Sequence, residues 1–139
     1  VFDQSLGEIY VVRTAGESLD SAVIASLEHA VENLGPRLLV VMGHTGCSAV
    51  SAAVHAHEHT STGSPSLDLM IADIQPRLPA RGPAGAASKD LEIESSANAQ
   101  GVAADLLKRS PLIKARVDKG ELTLKPALYY NDSGLVKFY

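Results

Sequence analysis

The chain has 139 residues, a formal net charge of −4, and a composition that is 45% hydrophobic and 20% charged. That length supports a single domain with a core of its own, and the acidic balance excludes the basic footprint that nucleic-acid binding requires. No apolar run approaches the ~20 residues of a membrane helix, so neither a nucleic acid nor a membrane is an expected partner. One cysteine cannot make an internal disulfide, and a reducing compartment such as the cytoplasm is the expectation.

No signal peptide is read at the front. The opening VFDQSLGEIYVV begins almost inside a strand, so further residues are expected ahead of Val1. Gly7 to Thr14, GEIYVVRT, has a β-branched and aromatic centre and reads as a buried strand. Ser18 or Asp20 can cap a helix whose apolar residues, Val23, Ile24, Leu27, Ala30, Val31 and Leu34, recur at three- and four-residue steps, with Gly35 and Pro36 stopping it. Leu38 to Met42, LLVVM, is a continuous apolar run, the pattern of a parallel strand covered on both faces.

A small-residue helix is expected from Ser48 to about His57, fading into the polar HEHTSTGSPS, and another from about Leu67 to Leu78. Pro79 to Ala87 reads as a surface loop, followed by a long helix from about Lys89 to Arg109 and a short one from Pro111 to Lys119, ended by Gly120. Glu121 to Tyr130 and Leu135 to Tyr139 read as strands around the turn Asn131, Asp132, Ser133, Gly134. The expected fold is therefore α/β over residues 1–139 as one domain, a mostly parallel sheet flanked by helices, with an antiparallel strand closing the C-terminal edge.

In an open parallel sheet, sites form beyond the carboxyl ends of the strands, and His44 and Cys47 of VVMGHTGCSAV sit there. Gly43 and Gly46 let the backbone turn sharply, and the three-residue step can bring imidazole and thiol onto one ion. The pair reads either as half of a zinc site or as ordinary residues at a tight turn, and a cysteine nucleophile with His44 as its base is a further reading. A catalytic zinc needs three protein ligands, and without a second cysteine the completion must come from Asp, Glu or His. In HAHEH, His55 and His59 lie one turn apart with Glu58 and His57 between them, but the stretch reads first as a solvated helix end. His29, near the Leu27 and Ala30 face, reads as a hydrogen-bonded or half-buried histidine. Neither a G-x-S-x-G elbow nor a G-K-[ST] phosphate loop is present.

The runs FDQSLGEIYVVRTAG, SAVIASLEHAVENLG, LLVVMGHTGCSAV, NAQGVAADLLKRSPLIKARVDKGELTL and YYNDSGLVKFY, taken in order, resemble the β-class carbonic anhydrases over essentially the whole chain. That family holds zinc with two cysteines and one histidine, and its H-x-x-C-G motif matches His44 and Cys47. The resemblance implies that these two are zinc ligands, that a zinc-bound hydroxide attacks carbon dioxide, and that bicarbonate leaves. It also implies a homodimer or larger homo-oligomer. Tyr10 and Ala15 match positions lining a small apolar pocket, Gly46 matches the backbone beside the metal, and Arg13 matches a structural arginine. His29 stands where the family commonly has tyrosine at the cleft edge, as polar lining or a proton shuttle.

Two departures qualify the expectation. Ser48 replaces the glycine after the second ligand, and the C-x-D-x-R motif carrying the family's first ligand is absent. The strand bearing that motif belongs between those read at Gly7 to Thr14 and Leu38 to Met42, so a domain without its N-terminal helices and first inner strand is expected. The same scaffold in some relatives hydrolyses carbon disulfide or carbonyl sulfide, and a non-catalytic dimerising or regulatory relative without a complete zinc site is the remaining reading.

Overall fold

The computed structural model describes residues 1–56, 61–80 and 87–139. Helix α1 (Ser21–Leu34) starts where the Asp20 carboxylate accepts the Val23 N–H at 2.7 Å, and it stops at Gly35, whose φ of 60° no branched side chain tolerates easily. Strand β1 (Leu38–His44) follows. Helices α2 (Ser48–His55), α3 (Pro65–Ile74), α4 (Glu92–Arg109) and α5 (Pro111–Asp118) lead to strands β2 (Thr123–Tyr129) and β3 (Val136–Phe138).

The sheet has the order β1-β2-β3 and is mixed. β1 and β2 run parallel along their whole length, with His44 beside Tyr129, and β2 pairs antiparallel with β3 through Ala127, Leu128 and Tyr129. This is the α/β arrangement read from the sequence, with the parallel ladder the longer of the two.

Helix α4 packs across β1 and β2. Its Ala99, Val102, Ala103 and Leu106 join Leu19, Val31, Val41, Ile113 and Leu122 in one apolar cluster. Complete burial of a Leu or Ile side chain contributes about 1.5–3 kcal/mol, so Leu106 and Ile113, both fully buried, anchor α4 and α5 to the sheet. Ser110 holds that corner, its hydroxyl accepting the Ile113 N–H at 3.2 Å and donating to the Glu28 carboxylate of α1 at 2.6 Å. A second cluster, including Val50, Val54, Ile71 and Ile74, joins α2 to α3 and takes in Cys47.

Several expectations change. Gly7 to Thr14 forms no strand and none of its residues is buried. A strand exists only where another strand presents matching N–H and C=O groups, and no described strand lies beside this segment, whatever its β-branched content. In β1, Val41 and Gly43 are buried while Val40 and Met42 on the other face stay partly exposed, so the run is covered fully on one face only. Helix α4 begins at Glu92 rather than Lys89 because Asp90 and Leu91 adopt left-handed backbone, with φ of 51° and 55°, after a single 3-10 turn. The helix expected to reach about Leu78 ends at Ile74 and continues as a 3-10 turn through Arg77. The small-residue helix ends at His55; His57, Glu58, His59 and most of the Pro79 to Ala87 stretch lie outside the described residues. No described helix is long and apolar enough to cross a membrane.

Candidate metal centre

The turn after β1 is held from both sides. Thr45 N–H extends the parallel ladder by donating to the Tyr129 carbonyl at 2.9 Å. Gly46, at φ 66°, reverses the chain, and its N–H donates to the Asp90 carbonyl at 2.6 Å. Cys47 then takes the position before the first turn of α2, and its carbonyl accepts the Ser51 N–H at 2.9 Å. Strand end, glycine and helix start thus place His44 and Cys47 on the two sides of one tight turn.

His44 is half-buried, and its Nδ1 lies 3.0 Å from the Thr45 carbonyl oxygen. A carbonyl oxygen can only accept, so this contact calls for the proton on Nδ1 and, in the neutral ring, leaves the Nε2 lone pair unprotonated, the form in which imidazole binds a metal. Cys47 is buried and free, and no hydrogen bond among the described residues engages its sulfur. A neutral imidazole nitrogen and a thiol are both zinc donors, so these two residues fit two positions of a zinc site. The fit stops at two, because among the described residues no group of three His, Cys, Asp or Glu side chains converges.

Two neighbours were not legible as site residues. Glu17 leaves a 3-10 turn spanning Ala15–Glu17, and its carboxylate accepts from the Asn98 side-chain amide at 2.8 Å. A Cβ on Gly43 would lie 3.6 Å from the same carboxylate, which places the acid beside β1 just ahead of His44. Burial pushes the Glu17 carboxyl above its ordinary range, and the Asn98 hydrogen bond and the charges of His44 and Arg77 offset this only in part. Close by, Ser95 Oγ and Asn98 Oδ1 are buried without hydrogen-bond partners among the described residues.

The other neighbour is Asn131, in the β2–β3 turn. Its backbone N–H donates to Thr45 Oγ1 at 3.1 Å and its side-chain amide to the Thr45 carbonyl at 2.6 Å, while the same amide nitrogen lies 3.3 Å from His44 Nδ1.

A cavity of about 460 Å³ opens next to this turn, lined by Thr45, Gly46, Lys89, Asp90, Glu92, Tyr130, Asn131 and Asp132. That volume lies within the range of small-molecule sites. On its wall the Tyr130 hydroxyl donates to Glu92 at 2.5 Å, and mainly through that bond its phenol is pushed up to about 12. Of the residues matched to the gas pocket, Gly46 lines this cavity and Tyr10, Ala15 and His29 do not. Tyr10 is half exposed, Ala15 is exposed at the start of its 3-10 turn, and His29 is exposed on α1, where the Asn33 amide donates to its carbonyl at 2.9 Å. His55 Nδ1 approaches the Ser51 carbonyl at 2.8 Å within α2. Ser48 and Arg13 are exposed.

A mixed sheet with a histidine and a cysteine at the carboxyl end of a parallel strand defines the class by architecture; comparison with known proteins gives the family. Residues 1–136 match the family model described as carbonic anhydrase. Carbonic anhydrase 2 of Mycobacterium tuberculosis is 38% identical over 135 residues, which are 96% of this chain and 64% of that protein. The Coccomyxa β-carbonic anhydrase solved in complex with acetazolamide superposes with a TM-score of 0.79 at 24% identity, over 98% of this chain and 63% of that one. One of two tetrameric β-carbonic anhydrases from Sordaria macrospora superposes with a TM-score of 0.66 at 16% identity, over 86% of this chain and 60% of that one. The chain belongs to the β-carbonic anhydrase family, and it spans 64% of the length of the Mycobacterium tuberculosis relative.

Proposed function

We propose that the whole protein interconverts carbon dioxide and bicarbonate, with His44 Nε2 and the Cys47 sulfur as two of its zinc ligands. The observation that carries this is the 3.0 Å contact between His44 Nδ1 and the Thr45 carbonyl, which in the neutral ring leaves Nε2 as the unprotonated nitrogen, with a free thiol on the other side of the turn. Zinc, when bound, supplies the Lewis acidity that makes water a nucleophile near neutral pH, an effect for which carbonic anhydrases are the reference case. A third protein ligand has to come from outside this pair.

The chain's own residues set what surrounds that chemistry. The Thr45 carbonyl holds the His44 tautomer, and the Gly46 bond to Asp90 fixes the turn that sets the spacing of the two ligands. Of the proposed pocket residues, Gly46 is the one with a place beside the half-site. The single free cysteine supports a reducing compartment, which we take as the cytoplasm. Val11, Leu135 and Phe138 are 70%, 67% and 50% exposed, and these apolar surfaces support a homo-oligomer, as the Sordaria macrospora β-carbonic anhydrases are tetrameric.

Carbon dioxide hydration by the full-length protein, followed by acidification of a weakly buffered indicator, tests the proposal. Turnover that disappears in His44→Ala and in Cys47→Ala supports it. Wild-type protein that holds zinc yet shows no hydration above the uncatalysed rate contradicts it.

A further inference from the structure

We infer that Asn131 is a positioning residue for zinc binding, acting through Thr45 to hold His44 in its Nδ1-protonated form; this rests on the reading of His44 as a ligand. The Asn131 amide nitrogen stands 2.6 Å from the Thr45 carbonyl oxygen and 3.3 Å from His44 Nδ1, while that Nδ1 stands 3.0 Å from the same carbonyl. Two proton arrangements compete for this triangle. With the proton on Nε2, the Nδ1 lone pair accepts from the Asn131 amide over 3.3 Å but faces the carbonyl lone pairs at 3.0 Å, two acceptors in repulsive contact. With the proton on Nδ1, the ring donates to the carbonyl and the Asn131 amide keeps its shorter bond to that oxygen. The second arrangement makes both contacts to the carbonyl attractive, at 2.6 and 3.0 Å, and leaves the two donors, ring and amide, facing each other only over the longer 3.3 Å; it alone leaves Nε2 free for a metal.

Asn131 decides the outcome because the Thr45 peptide is held from the hairpin. Its N–H reaches the Tyr129 carbonyl at 2.9 Å, its hydroxyl accepts the Asn131 backbone N–H at 3.1 Å, and its carbonyl accepts the Asn131 side-chain amide. A reversed amide would set Oδ1 against the Thr45 oxygen at 2.6 Å, so the donor orientation is the one chemistry permits. The side-chain bond is the member of this set that a substitution can remove while both backbone bonds persist. Without it, the carbonyl is free to tilt from the ring, and the preference for Nδ1–H weakens. Partners that orient a ligating histidine in this way typically account for about 10–100-fold in metal affinity.

Nitrogen-15 NMR of the His44 ring reads the tautomer directly, in zinc-free full-length protein at about pH 8, above the ordinary imidazole range. Wild type is expected to show a protonated Nδ1 and an unprotonated Nε2. Asn131→Ala is expected to show a raised share of the other tautomer and a zinc affinity lower by about 10-fold in chelator competition. The urea midpoint and circular dichroism of Asn131→Ala separate this role from turn stability, since the Thr45 N–H bond to Tyr129 and the Asn131 N–H bond to Thr45 Oγ1 both persist in it. Ring signals and zinc affinity unchanged in a folded Asn131→Ala overturn the inference. A wild type with the Nδ1–H form but no zinc affinity contradicts the ligand reading instead, and the ring spectra of the variant still decide the role of Asn131.

Discussion

Asn98, at the middle of α4, donates its side-chain amide to the Glu17 carboxylate and to the Gly16 carbonyl, both at 2.8 Å, and so binds the segment ahead of α1 to the helix that covers β1. The carboxylate it holds is disfavoured by burial. Because the folded-state pKa of Glu17 lies above the ordinary 4.5, the folded chain holds more protons than the unfolded chain between those two values, and stability falls as pH rises through that window. Glu17→Gln keeps an acceptor for Asn98 and removes the charge. In the zinc-free protein the variant is expected to be more stable than wild type at neutral pH, with the gap closing as pH drops toward 4.5. Urea midpoints across pH check this; a gap that widens in acid contradicts it.

The glycines at the turns separate backbone strain from steric conflict. Gly46 has φ 66° with nothing within 4 Å of an added Cβ, whereas Gly16 has φ 62° and its Cβ would meet Ile74 Cδ1 at 2.5 Å and Ala49 Cβ at 3.2 Å. Ile74 is fully buried and has no room to retreat. Gly46→Ala is expected to cost about 1–2 kcal/mol from the left-handed backbone alone. Gly16→Ala adds overpacking and is expected to cost about 2–5 kcal/mol in total. Denaturant unfolding of the two variants compares them, and equal costs contradict this division.

Arg77 ties α3 to α4. Its side chain is 7% exposed, and the guanidinium pairs with Asp73 at 2.9 Å and Asp105 at 2.8 Å. Arg77→Met leaves Asp73 without its cation and Asp105 with Lys108 alone, at 3.0 Å, at an expected cost of about 2–3 kcal/mol, below the range for fully buried pairs because both acids keep some contact with water. Hydrogen bonding to Arg77 also holds the Asp105 carboxyl below its ordinary range. A lowered folded-state pKa gives stability that is present above about 3.8 and is lost as pH falls through the folded value. The difference between wild type and variant is therefore expected to shrink in acid, as pH falls toward and below 3.8. A difference that vanishes already at neutral pH contradicts the ion-pair assignment.

What was legible in the sequence was local. Asp20 and Gly35 bracket α1, Pro111 opens α5, and the Asn131 to Gly134 turn separates β2 from β3, because caps and turn residues act within a few positions of themselves. The histidine–cysteine step was legible for the same reason. Gly7 to Thr14 was misread because composition reports only that a segment can be a strand, whereas pairing depends on what lies beside it. The supports of the turn that carries His44 and Cys47 left no local trace. Asn98 reaches Glu17 across 81 residues and Asn131 reaches Thr45 across 86, so NDSG reads as a turn and nothing in its spelling points to His44.

The most direct test of the metal assignment is the zinc content of the full-length protein, purified without added metal, by elemental analysis. The account expects about one zinc per chain in wild type and little in His44→Ala or Cys47→Ala variants whose circular dichroism shows them folded. A folded variant of either kind that keeps its zinc would contradict the assignment of His44 and Cys47 as ligands.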